Sequence, residues 1–160
     1  MISYLTDMDG VLHREGEIIP GAKEFIGALR SEDIDFMVLT NNSIQTPRDL
    51  SAKLMRMGLD IEPERIWTSA TATAKFLSQQ AGAASAYVIG EAGLTTALHE
   101  IGWILTDADP DFVVLGETRT YSFEALTTAS NLIRNGSRFI ATNPDLTLSL
   151  IHISEPTRPY

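Results

Sequence analysis

Asp7 and Asp9, separated only by Met8 and followed by Gly10, close an apolar stretch running from Ile2 to Leu5. A carboxylate left unpaired at the end of a buried strand costs several kcal/mol or gives up its charge. Two of them together call for a bound cation or for a reaction that uses both. Gly10 lets the chain turn sharply away from the strand. A second polar cluster, Thr40-Asn41-Asn42-Ser43, closes the apolar run Phe36 to Leu39. It offers a hydroxyl, amide side chains and backbone N–H groups, a set that suits phosphate oxygens. Carboxylates alone would repel a phosphate. A hard divalent cation removes that conflict, and Mg²⁺ takes oxygen ligation of this kind together with substrate phosphate. One carboxylate can then attack phosphorus, and the other can protonate a leaving alcohol and later take a proton from water. Asp-x-Asp-Gly by itself fits an ordinary turn equally well. It also starts like a calcium loop, but the remaining ligand spacing and the closing Glu are missing. The second cluster is what favours phosphoryl chemistry.

The elements that must position these groups follow from periodicity and punctuation. Ile2 to Thr6 reads as a buried strand, Val11 to Ile19 as a loop or short hairpin, and Pro20-Gly21 as the opening of a helix with Phe25, Ile26 and Leu29 on its apolar face. Asp35 to Thr40 is a second strand, whose continuous apolar run predicts burial on both faces of a parallel sheet. Thr46 caps a helix with Pro47 at its first position, Leu50, Leu54 and Met57 at helical spacing, and Gly58 as its stop. Ile66 to Thr68 is a short strand, followed by a helix from Ser69 to Gln80. The pattern then restarts: strand Tyr87 to Ile89, helix Ala92 to Ile101, strand Phe112 to Leu115, helix Ser122 to Arg134, strand Phe139 to Ala141. Alternation of this kind predicts an α/β fold with a Rossmann-like, mainly parallel sheet. In open sheets of this class ligands bind beyond the carboxyl ends of the strands, where both polar clusters lie.

Composition narrows the partners. The 160-residue chain carries 12 Lys and Arg against 21 Asp and Glu, a formal charge of −9. Duplex nucleic acid and anionic membrane surfaces demand basic patches, so neither is the expected partner. A small phosphorylated substrate remains compatible, because it needs only local positive charge or a metal. With no cysteine there is no thiolate chemistry and no disulfide framework. The N-terminus lacks a signal-peptide pattern and no apolar run is long enough to span a bilayer, so a cytoplasmic setting is expected.

The two motifs, read with Ile19 to Ala22, Thr68 to Ala70, Pro110 to Val114, Gly116 to Arg119 and Phe139 to Asp145 in order, resemble the haloacid dehalogenase superfamily and its NagD-like phosphatases. The resemblance runs from Met1 to about Asp145. It implies Asp7 as nucleophile and Asp9 as general acid/base. Both would hold Mg²⁺, Asp7 through its carboxylate and Asp9 through its backbone carbonyl. It further implies Thr40, Asn41 and Asn42 as the phosphate-binding set, with Asn143 and Asp145 near the substrate from a cap. Residues 1–84 would be the N-terminal part of the hydrolase core and residues 85–147 part of a large α/β cap. The expected activity of the intact protein is Mg²⁺-dependent phosphomonoester hydrolysis, with nucleoside monophosphates as first substrate class and phosphoglycolate or sugar phosphates as alternatives.

The family's Gly-Lys-Pro lysine and its later acidic Gly-Asp motif do not occur in this sequence. The chain is therefore expected to be truncated, and a non-catalytic fragment is the competing expectation. Residues 148–160 bear no likeness to the family and resemble a translated sequencing adapter, so they are read as a non-native tail. Outside the motifs, His13 could touch substrate from the flap but is expected rather to be a solvated loop histidine, His99 a surface residue, and Trp67 and Trp103 packing residues. Arg119 is placed either on a substrate anion or in a salt bridge.

Overall fold

Parallel pairing brings Asp7 opposite Leu39, one residue short of Thr40, so the two polar clusters leave adjacent strands at the same end. In the computed structural model, residues 3–143 are described. Asp145 and the 148–160 tail lie outside them. The first sheet has the order β1 (Ser3–Asp7), β4 (Asp35–Thr40), β5 (Ile66–Thr68), all parallel. A hairpin of β2 (His13–Arg14) and β3 (Glu17–Ile18) follows β1. Helices α1 (Ala22–Ser31) and α2 (Pro47–Met57) make the crossovers. Both crossovers step in the same direction across the sheet. With right-handed connections, that puts both helices on one face. Accordingly Ile26, Leu29, Leu50 and Leu54 share a single core cluster with Phe36, Val38 and Met8.

The helix ends form as their sequences dictate. Thr46 and Asp49 make a reciprocal capping box at the start of α2, with Pro47 in its first turn, and Gly58 ends it at φ 89°. Ser122 caps α5 (Phe123–Arg134) by accepting the Ala125 N–H.

The second sheet has the order β7 (Ile104–Leu105), β6 (Ser85–Ile89), β8 (Phe112–Leu115), β9 (Arg138–Ala141), again parallel throughout. Here the chain steps one way from β6 through α4 (Ala92–Glu100) to β7, and the other way from β8 through α5 to β9. The helices therefore cover opposite faces. Leu94 and Leu98 of α4 pack with Trp103, Phe112 and Val114, while Ala129 of α5 packs with Ile89 and Val113. Helix α3 (Ser69–Gln80) contributes Ala70, Ala74 and Leu77 to the α4 side of this core.

The α/β class with parallel strands is as expected. Two local readings are corrected. β1 is not a buried strand: Leu5 is 71% exposed and Tyr4 41%. It lies at a sheet edge, and α1 and α2 cover only one face. β4 is likewise half-covered, with Phe36, Val38 and Thr40 buried and Met37 and Leu39 only partly so. Strand β7 and the short 3₁₀ turn Pro63–Arg65 carry too few residues for a periodic signal and were not foreseen. Among the described residues no helix is long and apolar enough to cross a membrane.

Candidate active site

Side chains alternate along an extended backbone, so Asp7 and Asp9 fall on one side of the chain and Met8 on the other. Met8 is buried in the first core, which fixes the direction of both carboxylates. Its N–H donates to the Leu39 carbonyl at 3.0 Å and lies 2.8 Å from Asp7 Oδ1. Gly10, at φ 81°, then turns the chain so that Leu12 and His13 N–H groups both reach the Met8 carbonyl. Asp7 is exposed rather than buried, while Asp9 is half-buried.

Thr40 joins the two strand ends. Its hydroxyl donates to Asp9 Oδ2 at 3.1 Å and accepts the Asn42 N–H at 3.1 Å. Asp7, Thr40 and Asn41 line one shallow cavity of about 200 Å³ with Trp67, Thr68 and Ser69. Asp9, Asn41 and Asn42 line a larger one of about 490 Å³. Asn41 belongs to both. The structure thus brings together Asp7, Asp9, Thr40 and Asn41. Asn42 sits beside them, but its Oδ1 accepts the Ile44 and Gln45 N–H groups at 3.0 and 2.8 Å, so that oxygen shapes the loop. Asn143 lies just past the end of β9, half-buried.

The larger cavity is a cleft between the two sheets. β6 and β8 are the neighbours at which the second sheet reverses its direction of winding, and their carboxyl ends form its far wall. Glu91 follows β6; Glu117 and Arg119 follow β8; all three line the cleft with Gln45, Ile44 and Lys53 of α2. The junction is held by named contacts. Gly93 N–H donates to the Ile44 carbonyl at 2.8 Å, and the Glu117 N–H donates to the buried Ser43 Oγ at 2.9 Å. A Cβ on Gly93 would stand 2.6 Å from the Gln45 carbonyl oxygen, so only glycine allows this approach. The Glu91 carboxylate accepts a 2.5 Å hydrogen bond from the Thr118 hydroxyl. Arg119 takes part in no ion pair shorter than 4.0 Å with a described carboxylate, and it faces the cleft.

Two cleft residues escaped the sequence reading. Lys53 sits on a helix face that carried no motif, and Glu91 lies just before the helix expected from Ala92. His13 is the clearest correction: it is 4% exposed, not a solvated loop histidine. Its Nε2 lies 3.4 Å from Asp9 Oδ1. Burial, and then the Lys53 ammonium, hold its imidazole below the ordinary histidine value against a smaller opposing pull from Asp9. The signal available was Gly10 itself, whose positive φ opens the turn through Leu12 that brings His13 back beside Asp9.

As a metal site, the described residues supply Asp7 and Asp9, and no group of three or more His, Cys, Asp or Glu side chains converges among them. Two acidic groups do not make a closed cage. They do fit a cation such as Mg²⁺, which binds through one or two carboxylates and completes its shell with water and substrate phosphate.

The haloacid dehalogenase-like hydrolase family matches residues 4–104. The chain is 72% identical over 146 residues to the dihydroxyacetone phosphatase of Corynebacterium glutamicum, covering 91% of this chain and 53% of that protein. It is 42% identical over 143 residues to the ribonucleotide monophosphatase NagD of Escherichia coli, covering 89% of this chain and 57% of that protein. The solved structure of NagD from that organism superimposes with a TM-score of 0.84 at 41% identity, over 89% of this chain and 57% of NagD. The chain thus spans little more than half the length of these relatives.

Proposed function

We propose a reaction for this chain, which belongs to the NagD-like branch of the haloacid dehalogenase-like hydrolases: hydrolysis of a phosphomonoester through an aspartyl-phosphate at Asp7. The observation that carries it is the joint placement of Asp7, Asp9 and Thr40 at the ends of two paired parallel strands, with the Thr40 hydroxyl 3.1 Å from Asp9. An Asp7 oxygen attacks phosphorus as the ester P–O bond breaks. Asp9 gives its proton to the departing alcohol oxygen. In the second half, Asp9 takes a proton from the water that attacks the phosphoenzyme, and Asp7 is released. Thr40 and the backbone at Asn41 hold the phosphoryl oxygens. Mg²⁺ would be held by the Asp7 carboxylate and the Asp9 backbone carbonyl, and it would neutralise charge between carboxylates and phosphate. Positioning and charge neutralisation supply most of the catalysis in such transfers. In this reading residues 1–84 belong to the hydrolase core and residues 85–147 to a cap over it.

The name of the 72% identical relative favours a small hydroxylated phosphate, dihydroxyacetone phosphate, ahead of the nucleoside monophosphates that the sequence suggested. The cleft agrees with that preference. Lys53, Gln45, Glu91, Glu117 and Arg119 present donors and acceptors of both charge signs, which suits hydroxyl groups. Initial rates with Mg²⁺ on dihydroxyacetone phosphate, a nucleoside 5′-monophosphate and phosphoglycolate test the ranking. The expected order places dihydroxyacetone phosphate first, and a strong preference for the nucleotide reverses it. A second reading rests on the two-carboxylate donor set: this chain by itself holds phosphate without turning it over. Phosphate binding in the absence of any hydrolysis would select it.

A further inference from the structure

Among the described residues, the two ring nitrogens of His13 are the only buried side-chain polar atoms without a hydrogen-bond partner. Such a group is a net cost to the fold, and an apolar side chain of similar volume would relieve it. The His13 backbone, by contrast, is firmly placed. The His13 N–H reaches the Met8 carbonyl, its carbonyl accepts the Gly10 N–H at 2.8 Å, and it pairs with Ile18 across the hairpin. The ring is thereby held with Nε2 3.4 Å from Asp9 Oδ1, while the other oxygen, Oδ2, accepts the Thr40 hydroxyl.

We propose that His13 is a positioning residue for Asp9, its Nε2–H anchoring Oδ1 so that the carboxylate keeps its orientation when the Thr40 hydroxyl turns to the phosphoryl group. The need for a second anchor follows from the geometry. One hydroxyl proton cannot serve Asp9 Oδ2 and a phosphate oxygen at the same time. Once Thr40 turns to the substrate, Oδ2 is released to carry the transferable proton. Only a contact at Oδ1 then stops the carboxylate from rotating away from the leaving group. A buried, otherwise unpartnered imidazole supplies that contact at a stability cost, a pattern expected where function sets the residue. The inference rests on the reading of Asp9 as acid/base.

The test is imidazole ¹H–¹⁵N correlation on the ¹⁵N-labelled 160-residue chain, joined to kinetics of three variants. His13 is expected to carry a proton on Nε2; a ring protonated on Nδ1 alone overturns the proposal. His13→Met is expected to lower kcat about tenfold to a hundredfold with KM within about twofold, and to leave the thermal midpoint unchanged or raised. His13→Gln, whose amide nitrogen reaches the Nε2 position, is expected to recover most of kcat, and His13→Asn is not. Equal losses in Gln and Asn, or a midpoint that falls together with kcat, would make His13 merely structural. An inactive wild-type chain would count against the proposed reaction, and the protonated nitrogen would still decide the Asp9 contact.

Discussion

The two sheets are both parallel and both made of short apolar strands, yet they are covered differently. The second winds in both directions from β6 and β8, so it carries helices on both faces, and Val113 and Val114 are 1% and 0% exposed. The first winds in one direction, carries α1 and α2 on one face, and leaves Leu5 71% exposed. Strand composition did not separate them; the direction of winding did. The chemistry is divided in the same way. The proposed nucleophile and acid/base stand on the half-covered sheet, while the doubly covered sheet contributes Glu91, Glu117 and Arg119 to the far wall of the cleft.

The contrast can be broken most forcefully in the cores. Leu98→Ala, in the doubly covered region and fully buried, is expected to cost about 2–5 kcal/mol. Leu5→Ala is expected to stay within about 0.5 kcal/mol. Denaturant unfolding of both variants checks this, and equal losses would mean that the outer face of β1 is covered in solution. The junction comes next. Gly93→Ala would drive a Cβ into the Gln45 and Ser43 carbonyl oxygens at 2.6 and 2.7 Å, at an expected cost of about 1–3 kcal/mol. Gly27→Ala in α1 meets nothing within 4 Å and is expected to stabilise by up to about 1 kcal/mol. Comparing their thermal midpoints separates the close approach from the general effect of adding a methyl group.

The smallest effect concerns pH. His13 is held below its ordinary value in the folded chain, so the unfolded chain binds its proton first as pH falls. Stability is therefore expected to decline as pH drops below about 6.5. His13→Met should flatten that part of the stability profile. An unchanged slope in the variant would assign it to other groups.

Much of this was legible because it is local. Thr46 with Pro47, Asp49 and Gly58 states a helix and both its ends within a dozen residues, and the α2 bounds followed. Asp7, Asp9 and Thr40 were readable because Asp7 and Thr40 end strands β1 and β4 and Asp9 stands two residues beyond Asp7. What was not legible depends on contacts between segments far apart in sequence. Lys53 enters the cleft only because α2 crosses behind the Thr40 loop, and Ser43 is buried because the Glu117 N–H, 74 positions along the chain, meets its hydroxyl. Exposure of Leu5 depends on which faces receive helices. His13 was misread because polarity and a turn-rich neighbourhood suggest solvent, whereas the turn at Gly10 returns it to Asp9.

The central claim is that Asp7 takes the phosphoryl group. It is tested most directly by acid-quenching the chain during reaction with dihydroxyacetone phosphate and Mg²⁺ and mapping the phosphorylated peptide by mass spectrometry. The account predicts a phosphoryl group on Asp7, absent in Asp7→Asn and accumulating in Asp9→Asn where its hydrolysis is slowed. Turnover in Asp7→Asn at the wild-type rate, or a phosphoryl group on another residue, would contradict it.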